Sequence, residues 1–372
     1  MIANLSAEES RELAQSVRAA CTRLCPEERL RAVAFKETGR YRGFAAPLWQ
    51  ALCAQVGVLA IALPEELGGA GYGTSALGVV AHELGRALAP VPFVPSVLAT
   101  GLIVNSNPGL AAEQLAALAA GECTAAAAIC GDGGGWHRNA VTLTARQRDA
   151  TWAIDGEVRH VLGGAAADVL LVVGNVDGQP EIFLLDATSD GVAVRLERVL
   201  DGTRPMATIG FSSAPAVRLS DGPADAVIEC CLQRTLAVLS AEQVGACERL
   251  LEIATDYART RQQFGRPIGS FQAIKHRCAD MLVDLEFARS AAQAALQSAD
   301  DGELSWRASM AKAVCSEALR SAAHANLQIH GGIGYTWEDS AHLYVKRART
   351  DEVLFGAPGH HWDRLAIEAK LA

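Results

Sequence analysis

Apolar positions recur at helical spacing at both ends of the chain and at strand spacing in its middle. Residues 5 to about 35 carry alanine and charge at helical spacing, and Ser6 followed by Glu9 predicts a capping box. The runs Pro47 to Val56, Thr74 to Leu88 and Leu110 to Leu118 repeat the helical pattern. Between the first two lies LAIALPEELGGAGYG, where Pro64 and glycines 68, 69, 71 and 73 predict an ordered turn. APVPFVP then stops the second run. From about residue 123 the period shortens to VTLTA (141–145), TWAIDGEVRHV (151–161), DVLLVVG (168–174), EIFLLDA (181–187), VAVRLERV (192–199) and ATIGF (207–211). Asp155-Gly156, Asp177-Gly178 and Asp190-Gly191 carry hairpin-turn chemistry. AAAA at 125–128 is too short to count as a repeat. After Asp225 one apolar stripe runs from Leu236 to Tyr257, a second from Phe271 through Leu282 to Ala292, and a third from Trp306 to Ile329. Asp300-Asp301-Gly302 separates the last two, and residues 339–350 and 360–371 read as shorter helices.

The order is therefore α, β, α: an α+β multidomain chain. It divides into an all-helical domain (1–122), a small β barrel or sandwich (123–222) and a four-helix-type bundle (223–372). A chain of 372 residues can bury such a core. Half its residues are hydrophobic yet only 5% are aromatic, which suits closely packed alanine-rich helices.

A net charge of −9 argues against broad contact with nucleic acid or an anionic membrane, and leaves room for an anionic ligand at a local arginine cluster. Ten cysteines are scattered with no CxxC pair, several of them at apolar helical positions. No charged start precedes an apolar core and no apolar run matches a bilayer, so the expectation is a reduced, cytoplasmic chain without membrane insertion.

The stretch of most chemical interest is Tyr257–Gln272, YARTRQQFGRPIGSFQ. Arg259 and Arg261, which can grip phosphate oxygens, stand beside Phe264 at a helix end, and Gly265, Pro267 and Gly269 break the helix. A plain helix terminus with cations against its dipole is the alternative. QIHGGIGYT (328–336) offers Gln328 as an amide fork, and Gly331, Gly332 and Gly334 as places of close backbone approach. GDGGGW (131–136) precedes a strand and lacks the strand-to-helix setting of a dinucleotide fingerprint. The histidines give no metal set: His360 and His361 are adjacent, and His324 and His330 lack a third ligand.

The α–β–α order with LPEELGGAGYG, HELGRALAP, YARTRQQFGRPIGSFQAIKHRCADM and QIHGGIGYT resembles the acyl-CoA dehydrogenases over nearly the whole chain. The resemblance implies FAD as cofactor, an acyl-CoA thioester as substrate, electron-transfer flavoprotein as acceptor and assembly as a dimer of dimers. In such enzymes a carboxylate takes the thioester's α-proton while hydride leaves the β-carbon for the flavin. That demands a base in a dry pocket and donors near the flavin ring. By resemblance Arg261, Phe264, Gln272, Gln328, Gly331 and Gly332 are the FAD-contacting positions, several reaching a neighbour's FAD. Glu65 and Glu66 fall in a turn that shapes the family's acyl pocket, with solvated acids as the plain alternative.

The flavin-ring half departs from the family. Its Thr-Glu-Pro…Gly-Ser-Asp stretch is replaced by AAAAICGDGGGWHRN, and its aromatic-x-Thr/Ser element by RHVLGGAAAD (159–168). The usual glutamate falls at Phe355 or Gly356, and the alternative base position falls near Thr235, beside Gln233 and Arg234. Glu242, Asp351 and Glu352 remain as candidate bases, each also readable as a structural or solvated acid. Three readings follow. The first is a subunit without its own base that completes the FAD site of a second, related chain. The second is a self-sufficient homo-oligomer with a relocated base, and the third a non-catalytic, flavin-free homologue.

Overall fold

The capping box forms: the Ser6 hydroxyl accepts from the Glu9 N–H, and the Glu9 carboxylate accepts from the Ser6 N–H at 2.7 Å. It starts α1 (Ala7–Leu24), followed by α2 (Glu27–Phe35), α3 (Ala46–Ala51), α4 (Thr74–Arg86), α5 (Phe93–Val104) and α6 (Ala112–Ala120). The computed structural model describes residues 4–35, 43–129, 140–149, 151–299 and 303–368, so GDGGGW and the Asp300–Gly302 break lie outside the described residues. Helix α5 departs from the sequence expectation, which ended helix at APVPFVP. Pro95 sits in its first turn, where a backbone N–H has no helical partner to lose. Almost every residue of α5 is buried, so no polar face marks its period.

Seven strands follow: β1 (Ala125–Ala128), β2 (Leu143–Arg148), β3 (Thr151–Leu162), β4 (Val169–Val176), β5 (Gln179–Asp186), β6 (Val192–Leu196) and β7 (Met206–Arg218). β4 pairs with β2, β2 with β3, β3 with β7, β7 with β5 and β5 with β4, which closes a five-stranded ring. β1 joins β4 in parallel and β6 flanks β7. The tetra-alanine run, set aside as too short, is thus a buried strand: parallel pairing to Val169–Val172 supplies its hydrogen bonds, and small side chains fit under α5. Asp177-Gly178 turns β4 into β5, whereas Asp155-Gly156 is no turn. It lies inside β3 at a register shift, with Gly156 at φ 127° and the Asp155 carboxylate accepting from the Ser213 N–H at 2.7 Å.

The last block is α7 (Asp225–Thr260), α8 (Gln272–Gln297), α9 (Leu304–His330), α10 (Ala341–Val353) and α11 (Pro358–Glu368). Helix α7 packs against α4, α8 and α9, so the two helical blocks share one core running from Val17 and Trp49 to Leu250, Leu285 and Leu319. Leu282 of the second stripe is exposed, and Met281 takes the buried place. The α4–α7 crossing is set by two glycines. A Cβ on Gly85 would lie 1.9 Å from the carbonyl oxygen of Glu242, and one on Gly245 would lie 1.9 Å from that of His82. Backbone meets backbone there, with no side chain able to yield. Gly245→Ala is expected to destabilise the fold by about 3 kcal/mol or more, measured by denaturant unfolding. Gly359→Ala, also in a helix and with nothing within 4 Å of its Cβ, controls for the same exchange without the backbone clash.

Candidate active site

Helix α7 stops where the Arg261 N–H donates to Tyr257 O at 2.8 Å and Arg261 itself turns extended. A two-residue ribbon then pairs Gln262–Gln263 with Arg266–Pro267 around Phe264 and Gly265, both at positive φ. This turn holds the Phe264 ring 89% exposed, edge-on to Phe271 at 6.0 Å. Tyr257 stacks on His330 at 4.2 Å, which ties the end of α7 to the end of α9 and brings the two sequence motifs together. Gln328 is exposed, and its amide donates to the Tyr335 hydroxyl at 3.3 Å. Gly331 and Gly332 have open space where a Cβ would stand. Arg261, Gln272, Gln328 and Gly332 all face outward. A guanidinium, an amide fork, bare backbone and a flat ring fit the adenosine diphosphate end of FAD.

The flavin-ring end differs. Phe355, in the turn between α10 and α11, has φ 57° and packs against the cluster of Val94, Leu162, Leu239 and Leu354, with Met206 beside it. Its other contacts are the clusters containing Leu63 and Cys231, and Leu236 and Leu304. At Gly356 a Cβ would meet the His360 and His361 rings at 2.8 and 3.0 Å. Neither position carries a carboxylate, and at Gly356 the two histidine rings leave no free space for one. Thr235 is buried and donates its hydroxyl to Cys231 O at 2.8 Å, closed into its own helix. Glu65 and Glu66 line a cavity of about 540 Å3 between α4, α5 and the start of α7, with Leu63, Thr100, Cys231 and Arg234.

Sequence spacing gives no hint of how Glu242 is used. It is 5% exposed and lies 2.7 Å from Arg204 and 2.7 Å from Arg347. Arg347 also reaches Asp201 at 2.8 Å and the Thr203 hydroxyl, and Arg204 reaches Asp351 at 2.6 Å. Asp351 and Glu242 thus belong to one buried chain of charge. Burial foremost, and then the neighbouring Glu242 and Asp201, raise the Asp351 carboxyl to about 6 against the pull of Arg204 and Arg347. Glu352 points elsewhere, to Arg349 at 2.8 Å and Arg320 at 3.6 Å. Lys312 of α9 donates to the carbonyls of Glu352 and Gly356 at 3.2 and 2.9 Å, and His361 contacts Phe355 O at 3.1 Å. Sequence reasoning passed over Arg204, Lys312 and Arg347. The available signal was a charge flanked by apolar or small residues, as in ASMAKAVC. Among the described residues no group of three or more potential ligands could hold a metal ion.

Three helical and β blocks in this order, a closed barrel between them and the Arg261–Gly332 end are the features of one enzyme class. Residues 225–369 match the acyl-CoA dehydrogenase C-terminal domain and residues 7–122 its N-terminal domain. The chain belongs to the acyl-CoA dehydrogenase family, FAD-dependent CH–CH oxidoreductases. It is 35% identical to the acyl-CoA dehydrogenase IpdE2 of Mycobacterium tuberculosis, over 88% of each chain. Among solved structures it is similar to a chain of the ChsE4-ChsE5 complex from Mycobacterium tuberculosis (28% identity, TM-score 0.89, 99% of both chains). It is also similar to a chain of the Tcur3481-Tcur3483 steroid acyl-CoA dehydrogenase variant (28% identity, TM-score 0.88, 98% and 99% covered). Among the described residues no helix is long and apolar enough to cross a membrane.

Glu242→Gln separates a base from a structural acid. Leaving two buried guanidiniums short of a carboxylate costs about 3 kcal/mol, so a fall in thermal stability is expected. A variant of unchanged stability but without turnover would instead mark Glu242 as the base.

Proposed function

We propose that this chain is the base-less subunit of a two-chain FAD-dependent acyl-CoA dehydrogenase. In this reading its Arg261–Phe264 turn and its Gln328–Gly332 backbone grip the adenosine diphosphate end of an FAD seated mainly in a related chain. The observation that carries the reading is a contrast within one molecule. Phe355, onto which sequence spacing carries the family's glutamate, packs among apolar side chains, while Arg261, Phe264, Gln272, Gln328 and Gly332 project into solvent. A ring that is 89% exposed beside Arg261 and Gln272 is available to a flat ligand from outside the chain.

The exposed side chains of α8 support the same conclusion. Leu282, Val283 and Phe287 form an apolar face on a bundle helix, of the kind covered in an oligomer. The similar chain of the ChsE4-ChsE5 complex belongs to a two-component assembly, which supports pairing of this chain with a second one. Glu242 and Asp351, held by arginines, serve as structural acids in this reading. FAD, when bound, supplies the hydride acceptor for α,β-desaturation, and electron-transfer flavoprotein would take the electrons onward. The partner contributes the carboxylate that removes the α-proton. The roughly 540 Å3 cavity beside Glu65 and Arg234 is this chain's remnant of an acyl pocket.

The test is purification of the full chain alone and together with a candidate acid-bearing relative. The chain alone should show no stoichiometric flavin absorbance and no acyl-CoA oxidation, and both should appear with the partner. Flavin and turnover from this chain alone would support the self-sufficient enzyme, and a flat visible spectrum in every assembly the flavin-free homologue. Within an active pair, Gly332→Ala should leave stability near wild type, since its Cβ meets nothing, yet weaken FAD retention about tenfold. Unaltered retention would remove Gly332 from the grip.

A further inference from the structure

The β domain meets the C-terminal bundle through side chains that are charged yet buried. Asp201, Thr203 and Arg204 come from the loop between β6 and β7, Glu242 from the middle of α7, and Arg347 and Asp351 from α10. They alternate in sign along one line: Asp201, Arg347, Glu242, Arg204, Asp351, with contacts of 2.8, 2.7, 2.7 and 2.6 Å. All five side chains are at most 7% exposed, so water does little to screen them. Asp201 is further fixed by the Thr203 N–H and hydroxyl at 2.9 and 2.6 Å.

Three carboxylates share two guanidiniums. The line is therefore one positive charge short, and the acid at its open end, Asp351, has a single arginine in contact. A further cation acting on Asp351 is Lys312 of α9, which among the described residues makes no ion pair and donates to Glu352 O and Gly356 O. We propose that this line is a protonation-sensitive joint between the β domain and the C-terminal bundle, with Asp351 as the group that takes up the proton.

The groups facing Asp351 are Asp201 and Arg204 from the β-domain loop, Glu242 from α7, Lys312 from α9 and Arg347 from its own helix. Those facing Lys312 are Asp351 and Glu352 from α10, Cys315 from its own helix and His361 from α11. His361 is driven down to about 3 by burial and by Lys312, so it stays neutral across the physiological range. Asp351, raised from 3.8 to about 6, binds its proton more tightly in the closed joint than it would in an opened, hydrated one. Linkage then has one sign. A proton on Asp351 tightens the joint, and that stabilisation is lost as pH rises through about 6. Lys312 acts from the other side: burial lowers its ammonium to about 8, so the closed form favours the neutral amine and gains only as pH climbs past that value. Between these limits both groups are charged, and the joint opens most easily there.

Amide hydrogen exchange on the full-length chain tests this at residues 201–210 and 345–356, with rates corrected for the intrinsic effect of pH. The opening equilibrium there should rise about tenfold from pH 5 to pH 7, while the α8 amides show no such rise. Asp351→Asn should flatten that rise. Lys312→Met should keep it and lose the recovery of protection above pH 8. A wild-type profile that is flat or of opposite slope overturns the proposal without any variant, and so does a rise that survives in Asp351→Asn.

Discussion

Arg347 is the residue on which the seating of the β domain on the C-terminal bundle depends. Its guanidinium, 2% exposed, spends its donors on Asp201, Glu242 and Thr203, and so ties a β-domain loop to α7 from within α10. A buried cation of this kind is not a source of great net stability, because desolvation offsets much of the attraction. What it contributes is uniqueness of position, since a shifted β domain would leave three buried carboxylates and two guanidiniums mismatched. The glycine crossing of α4 on α7 acts in the same direction, fixing the N-terminal helices on the bundle by direct backbone contact at Gly85 and Gly245.

With the blocks fixed, chemistry and recognition fall at different places. Where the barrel meets the helices, Leu162, Met206, Leu239, Leu354 and Phe355 pack together. Asp351 and Glu352, the carboxylates nearest to Phe355 in sequence, are held by Arg204 and by Arg349. At the far end of the bundle the opposite holds: polar and aromatic groups are displayed with little of their own chain to contact. One chain thus displays polar and aromatic groups outward at one end and packs apolar side chains where barrel and helices meet.

The α–β–α order was legible because each block has its own period, and the family because RQQFG and QIHGG hold unusual residues at helix ends. The almost wholly buried α5 was not legible: with no polar face there is no period to read, and Pro92 and Pro95 look like breakers. The tetra-alanine strand was hidden for a related reason, since its partner strand lies some forty residues on and its side chains carry no β signature. Glu242 could be placed on a helix but not given neighbours, because Arg204 and Arg347 lie in other blocks. Leu282 was assigned inward by spacing and faces out, with Met281 in the buried place.

The most direct measurement is the flavin content of the assembled enzyme, by absorbance against a quantitative count of each chain. The account requires one FAD for every two chains, with this chain present in every active assembly. One FAD for each chain, including this one, would contradict it.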